Sequence, residues 1–260
     1  MNLEFKDQIN HVIRLDRTPK RIISLVPSQT EFLSYLNLDD QVIGITKFCV
    51  HPQNWFKQKT RVGGTKNIDF NKIVDLNPDL IIANKEENSQ ADIENLQSKY
   101  QVYTSNIANL ADAFQMMEDI GGIVNRFEKT KDLISEIKKD FSELKTVERK
   151  SVLYLIWQDP YMTAGQETFI NAMLTMCGLK NADVSNQRYN EISEEAIAQL
   201  NPDYIFLSSE PYPFKLKHAE KLRSLSNAKV VLVDGEMFSW YGNRLNMFKT
   251  YWEHTLLPSL

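Results

Sequence analysis

The chain has 260 residues, 42% of them hydrophobic and 25% charged, with a net charge of −4. This is ordinary soluble composition, with enough material for two modest domains or one large one. The mild acidity gives no general attraction to nucleic acid or an anionic membrane surface, so neither is expected as a partner. No apolar run approaches the roughly 20 residues that a membrane-spanning helix needs, so membrane insertion is not expected.

The first twenty residues hold no apolar signal core and no lipoprotein-type cysteine. Two expectations follow: a leader has been removed, or the protein stays in the cytoplasm. Within this stretch "NLEF" and "HVIRL" suggest a small hairpin. "RIISLVPSQTEFLSYLNL" then reads as strand, loop and helix, with Ser28 or Thr30 suited to cap the helix and Glu31 in its first turn.

A pattern now appears twice. "IVDLNPDLIIANKEEN" (Ile73–Asn88) and "IAQLNPDYIFLSSEPY" (Ile197–Tyr212) share an amphipathic helix end, Leu-Asn-Pro-Asp, an apolar strand and a polar loop. Proline ends each helix because it has no amide hydrogen and clashes with the preceding turn. The strands Leu80–Ala83 and Tyr204–Leu207 lack polar alternation, as expected of a parallel sheet covered by helices on both faces. "SVLYLIWQDPYMTAGQETFINAMLTMCGL" repeats the strand–loop–helix order of the first half, and "YQVYTSN" and "KVVLVDGE" supply a further strand for each. Each half therefore reads as a β-α-β-α-β lobe, and the fold class is α/β with two Rossmann-like lobes.

Between the halves lies a proline-free segment from Asn109 to about Glu148, with Leu110, Ala113, Phe114, Met117 and Ile120 at helical spacing. Phe127, Ile134, Ile137, Phe141 and Leu144 continue it. It reads as a long rigid strut, of which a 25-residue helix would span close to 40 Å, with Gly121-Gly122 as the place where it would kink or split. The expected division is an N-terminal lobe over 1–108, a connecting helix over 109–149 and a C-terminal lobe over 150–260.

Ligands of open α/β sheets bind beyond the carboxyl ends of the strands, and two facing lobes would form a cleft there. The loops at those ends carry Lys66, then Lys85 and Glu86, then Trp157 and Tyr161. Arg188 and Tyr189, Glu210 and Tyr212, and finally Glu236, Trp240, Tyr241 and Arg244 follow. The aromatics would give flat contact surfaces, and the basic groups would meet ligand carboxylates or phosphates, which an arginine fork matches bidentately. Cys49 and His51 are a candidate metal pair, with Glu86, Glu87, Glu210, Asp234 or Glu236 available to complete a shell, but no second motif of fixed spacing accompanies them. Cys177, before Gly178 at a helix end, reads as a buried small hydrophobe. No nucleophile elbow, Walker spacing or dinucleotide fingerprint is present, and no acid–base pair is named, so no catalytic residue is expected.

"RIISLVPSQTEFL", "VIGIT", "VGGTKNIDFNKIVDLNPDLIIA" and "MTAGQETFINAMLTMCGLKN", in that order over about residues 20–250, resemble the helical-backbone metal receptors. These are the cobalamin- and iron-siderophore-type substrate-binding proteins of ABC importers. The resemblance implies a class III periplasmic binding protein fold, two lobes joined by one long rigid helix, and a metal chelate (corrinoid, haem or ferric siderophore) held between them. It implies a monomer outside the cytoplasm that requires no cofactor and delivers its ligand to an ABC permease dimer. Where cobalamin-binding members place tryptophans over the corrin, this chain has Thr65, Asn84 and Tyr189. The family docks on its permease through one acid per lobe. In the second lobe that position falls on Glu195, and in the first on Asn71, with Asp69 nearby. The alternative is a cytoplasmic metal-dependent enzyme or metal-handling protein on the same frame, using Cys49, His51 and the cleft acids directly.

Overall fold

The computed structural model describes residues 3–185 and 187–260. The N-terminal hairpin forms as expected: β1 (Leu3–Lys6) pairs antiparallel with β2 (Val12–Leu15). The carboxylate of buried Asp7 holds its turn, accepting from the backbone N–H groups of Ile9 at 3.0 Å, His11 at 2.7 Å and Thr104 at 3.0 Å.

The chain divides into two compact units. The first takes the chain up to Asn106, with Ala111–Glu136 and Tyr241–Arg244; the second takes Ile107–Leu110, Ile137–Trp240 and Leu245–Leu260. In the first unit β3 (Ile22–Ser24) leads through α1 (Pro27–Tyr35) to β4 (Val42–Ile45), then α2 (Gln53–Gln58) and β5 (Thr60–Arg61). The chain continues as α3 (Phe70–Leu76), β6 (Leu80–Asn84), α4 (Gln90–Gln97) and β7 (Val102–Ser105). All pairings are parallel, in the order β5-β4-β3-β6-β7. The strand order reverses at β3, so the crevice favoured by ligands lies at the carboxyl edge beside β3 and β6.

Two helices follow, α5 (Leu110–Ile123) and α6 (Phe127–Ser142). The sequence suggests one strut here, and this expectation is corrected. The chain breaks at Val124–Arg126, where Asn125 takes a left-handed φ of +54°, a conformation asparagine tolerates better than most residues. Arg126 is held there by its Nε donating to the Leu36 carbonyl at 3.1 Å. Gly121 is not the break. It lies within α5, where an added Cβ would sit 2.3 Å from Thr130 Oγ1 and 2.9 Å from Thr130 Cβ, so the glycine lets α6 approach closely.

In the second unit come β8 (Ser151–Trp157), β9 (Met162–Ala164), α7 (Phe169–Met176), β10 (Lys180–Asn181) and β11 (Tyr189–Glu191). Then follow α8 (Glu194–Leu200), β12 (Tyr204–Ser208), α9 (Leu216–Leu225), β13 (Lys229–Val233), α10 (Gly235–Ser239) and α11 (Leu245–Tyr251). The order is β11-β9-β8-β12-β13, with β10 also on β8; β8, β10, β12 and β13 are parallel, and β9 and β11 add antiparallel strands. A π-helical turn (Trp252–Leu256) and a 3-10 turn (Leu257–Ser259) close the chain, with Trp252 Nε1 donating to the Lys145 carbonyl at 2.6 Å.

The internal repeat extends into the packing. In the first unit Ile23, Leu25, Ile81, Ala83 and Val102 on alternate strand positions pack with Ile73 of α3 and Ile93 and Leu96 of α4. In the second, Leu153, Leu155, Ile205, Leu207 and Val230 pack with Ile197 of α8 and Ala219 and Leu222 of α9. The two Leu-Asn-Pro-Asp turns also match. Asn77 and Asn201 end their helices in the left-handed region at φ +40° and +38°. Asp79 accepts from the Lys20 and Arg21 backbone N–H groups at 2.9 Å each. Asp203 accepts from the Ser151 N–H at 2.8 Å, the Ser151 hydroxyl at 2.9 Å and Lys150 Nζ at 2.9 Å. One capping expectation is corrected: α1 begins at Pro27 after Val26, so Ser28 and Thr30 lie inside it, Thr30 Oγ1 donating back to the Val26 carbonyl at 2.8 Å. Proline suits the first helical position because the missing N–H would have had no partner there.

Gly121→Ala is expected to destabilise the protein by about 1–3 kcal/mol through overpacking against Thr130; an unchanged urea midpoint would contradict the close approach. Lys150 and the Ser151 groups hold the Asp203 carboxyl down, from its ordinary 3.8 to about 2. The stabilisation from this ionised group is therefore full above the ordinary value and lost as pH falls through about 2. Urea midpoints of wild type and Asp203→Asn should differ by a constant amount from neutral pH to about 5, then converge toward pH 2.

Candidate functional site

At the carboxyl edge of the first unit's sheet a polar knot shapes the loops. Asn84, at the end of β6, takes the Glu86 and Glu87 backbone N–H groups on its Oδ1 at 2.8 and 3.1 Å, and its Nδ2 donates to Ser105 Oγ at 3.0 Å. Asn88 Oδ1 accepts from the Asn84 N–H at 2.9 Å, and its Nδ2 donates to the Thr65 carbonyl at 2.9 Å. Lys66 Nζ donates to the Glu86 carbonyl and, at 3.3 Å, to that of Asn88. Lys66 thus ties two loops together, Lys85 stands exposed, and Glu86 and Glu87 are half-buried. Asn84, one of the three positions that the resemblance sets against corrin-facing tryptophans, is buried in this knot.

Cys49 and His51 are brought together by sequence alone. Cys49 is fully buried, and its Sγ receives a hydrogen bond from Thr30 Oγ1 and lies 3.1 Å from Thr46 Oγ1. Burial pushes its thiol up to about 11, so it stays protonated near neutral pH. The metal-ligand expectation for Cys49 is therefore corrected: the residue packs in the core. His51 lies two residues on and half-buried, and no three His, Cys, Asp or Glu among the described residues gather where they could hold an ion. The sequence reading singles out these two residues in the loop, whereas the exposed ones are Lys47, Phe48 and Val50. Lys47 and Phe48 form the turn that follows β4, and Val50 stands out on the far side of the buried Cys49.

Arg244 and Tyr241 belong to the first unit, and both are buried. The Arg244 fork is occupied by Glu31, its Nε and Nη2 each donating at 2.8 Å to the two carboxylate oxygens. This bidentate pair replaces the expected ligand-facing cation. At Gly242, where φ is +104°, an added Cβ would lie 3.0 Å from Phe32 Cβ, so glycine permits both the turn and the approach of this segment to α1.

In the second unit the edge is aromatic. Trp157 ends β8 at 40% exposure, with Tyr212 edge-on at 5.6 Å between ring centroids. Tyr212 also stacks edgewise with Phe214 at 4.8 Å and His218 at 5.5 Å. Tyr189 is exposed at 38% on β11, and Arg188 is half-buried with Nη2 donating to the Ile107 carbonyl at 3.4 Å. The strand bearing them is pinned by Asp183, whose Oδ2 accepts from Thr163 Oγ1 and from Asn190 Nδ2 at 2.8 Å. Tyr161 and Trp240 are buried, so the expectation that they present flat faces to a ligand is also corrected. Trp240 Nε1 instead donates to Glu210 Oε1 at 2.7 Å, as does Ser239 Oγ. Burial, together with the nearby charges of Glu236 and Asp234, raises the Glu210 carboxyl above the usual range. Glu210 is thus a hydrogen-bonded loop anchor, and Glu236 is half-buried in the first turn of α10.

Asp69, Asn71 and Glu195, which the resemblance puts forward for permease docking, lie at the starts of α3 and α8. Asp69 caps α3, its side chain accepting from Lys72 N at 3.2 Å and pairing with Lys72 Nζ at 3.3 Å; Asn71 is exposed on the same helix. Glu195 is exposed in the first turn of α8, which Ser193 caps.

Neither cysteine should react with a chromogenic thiol reagent at pH 8 in the native protein, because burial raises both thiols. Both should titrate fully in denaturant; rapid native reaction would contradict the packing of Cys49.

Residues 22–229 match the family model described as periplasmic binding protein. An uncharacterized ABC transporter substrate-binding lipoprotein, YvrC of Bacillus subtilis (strain 168), is 31% identical over 257 residues, covering 92% of this chain and 80% of that one. The vitamin B12-binding protein of Vibrio campbellii (strain ATCC BAA-1116) is 25% identical over 195 residues, covering 73% and 70%. Among solved structures, the petrobactin-binding protein YclQ from Bacillus subtilis superposes with a TM-score of 0.78 at 20% identity, covering 96% of this chain and 95% of that one. That likeness extends the α/β architecture over nearly the whole chain. With its family model spanning both sheets, the chain belongs to the periplasmic binding protein family.

Proposed function

We propose that this chain is the substrate-binding component of an ABC-type importer and that its ligand is a metal chelate: a corrinoid, a haem or a ferric siderophore. The observation that carries this reading is the family match over residues 22–229. It is joined by 31% identity to a relative named as an ABC transporter substrate-binding lipoprotein. Relatives named for vitamin B12 and petrobactin support the chelate class.

The site residues that remain available suit such a ligand. In the second unit Trp157, Tyr189 and Tyr212 offer ring surface, with Arg188 nearby in sequence; in the first unit Lys85 is exposed and Lys66 lies in the adjoining loop. Buried ring surface supplies most of the affinity of such sites, and a few placed charges supply orientation. The loops are already tied by hydrogen bonds, so little ordering is lost on binding. Capture of this kind makes and breaks no covalent bond and calls for no catalytic residue or cofactor.

Delivery to a permease outside the cytoplasmic membrane would use Glu195 together with Asp69 and its neighbour Asn71. Hydrogen bonds from its own backbone N–H and from Ser193 hold the Glu195 carboxyl below its usual range, and the Lys72 backbone N–H does the same for Asp69. Both stay ionised at neutral pH, as docking on basic residues requires.

Calorimetric titration with cyanocobalamin, haemin and a ferric tris-catecholate should show at least one of them binding in the micromolar range or tighter. Trp157→Ala should weaken that binding about tenfold through loss of the exposed ring. No binding by any of the three would overturn the reading.

A further inference from the structure

One short piece of chain packs away from its neighbours in sequence. Tyr241–Arg244 belong to the first unit, although Trp240 before them and Leu245 after them belong to the second. The chain therefore leaves the second unit, visits the first and returns. This visit comes long after α6, which passes from the first unit to the second at Glu136 and Ile137.

Both flanks of the segment are fixed in the second unit. Before it, Ser239 Oγ and Trp240 Nε1 each donate to Glu210 Oε1 at 2.7 Å. After it, Leu245 and Phe248 of α11 are buried. The Phe248 ring centroid lies 5.5 Å from that of Phe141 and 5.4 Å from that of Phe238. The segment itself is fastened in the first unit at two points. The Arg244 fork closes on Glu31 of α1, and the bare Gly242 backbone lies against Phe32 of the same helix. Four residues span at most about 14 Å even when fully extended. The segment has little slack, so its flanks cannot move far unless the fork opens.

We propose that Tyr241–Arg244 is a strap, with the Glu31–Arg244 pair as its clasp, that makes the two units unfold as one cooperative body. Domains that share a single connection can each unfold alone, and α6 by itself would leave these units free to do so. The strap changes this. Loss of α10 or α11 pulls on a buried, bidentate ion pair, and opening that pair strands two charges in the interior. Unfolding of the second unit is thereby transmitted to α1, and loss of α1 releases the segment that joins α10 to α11. The inference is independent of what the protein binds.

The test follows urea unfolding of the whole chain by hydrogen exchange and mass spectrometry, which reads peptides of each unit separately. In the wild type, peptides covering β3 and β6 and those covering β8 and β12 should lose protection over one shared urea range. Glu31→Gln removes the clasp and should separate the two ranges. In water it should also speed exchange at residues 241–244 about a hundredfold. A second variant, with Gly-Ser-Gly inserted between Arg244 and Leu245, keeps the fork but gives the strap slack. It should separate the ranges too, and it decides the matter if Glu31→Gln does not fold. Asp203→Asn, which weakens an anchor inside one unit, should lower the shared range without splitting it. Separate ranges in the wild type, or a shared range in either folded variant, would overturn the proposal.

Discussion

Two carboxylates at the bottom edges of the sheets set everything above them. Asp79 and Asp203 each follow a proline that ends a helix, and each accepts backbone N–H groups at the start of its unit's first core strand, beside which the next strand runs parallel. Parallel strands cannot be joined by tight hairpins, so a crossover must return the chain to the same edge every time. Fixing the amino ends of β3 and β6, and of β8 and β12, therefore collects the loops after those strands at the opposite edge. The position of each of these loops thus follows from a turn at the far end of its strand. Arg21 reinforces the first of these turns, its guanidinium donating to the Leu76 and Asn77 carbonyls left open by the left-handed helix end.

This part of the molecule was legible in the sequence because it is written in local terms. Leu-Asn-Pro-Asp carries its own helix stop, left-handed residue and strand cap, and the apolar runs that follow can satisfy a parallel sheet only if covered on both faces. The break between α5 and α6 was less legible. Glycine at 121 and 122 looks like a weak point, yet helices also use glycine for close approach, and the deciding fact is that Thr130 lies against it. The break falls instead on Asn125, whose left-handed φ and neighbouring Arg126–Leu36 bond are tertiary features with no periodic signature.

Site residues were legible as a neighbourhood but not individually. Trp157 ends β8 and Trp240 follows α10, both beside mixed charges in the sequence, yet one is exposed and the other is buried against Glu210. Arg244 looks like a ligand cation until Glu31, 213 positions away, is found to occupy its fork. A buried pair of this kind contributes little net stability, because desolvation offsets the attraction. Removing one partner, however, costs about 3–5 kcal/mol, so neither side is free to turn toward a ligand. Distances of that order in sequence are invisible to motif reading. The charges it can count include many already committed to holding loops in place.

At Cys49 and His51 the opposite holds: the pair is visible in the sequence, but its first residue is committed to the core. Cysteine with a histidine two residues on invites a metal, but a thiol in that position is cheaper to bury than to ionise, and burial raises it further. Once Cys49 is committed to the core, held by Thr30 and Thr46, the turn before it leaves Lys47 and Phe48 outside, with Lys47 Nζ 5.1 Å from the ring centroid. The burial of one sulfur atom thus decides which side chains of this loop face the core and which face water.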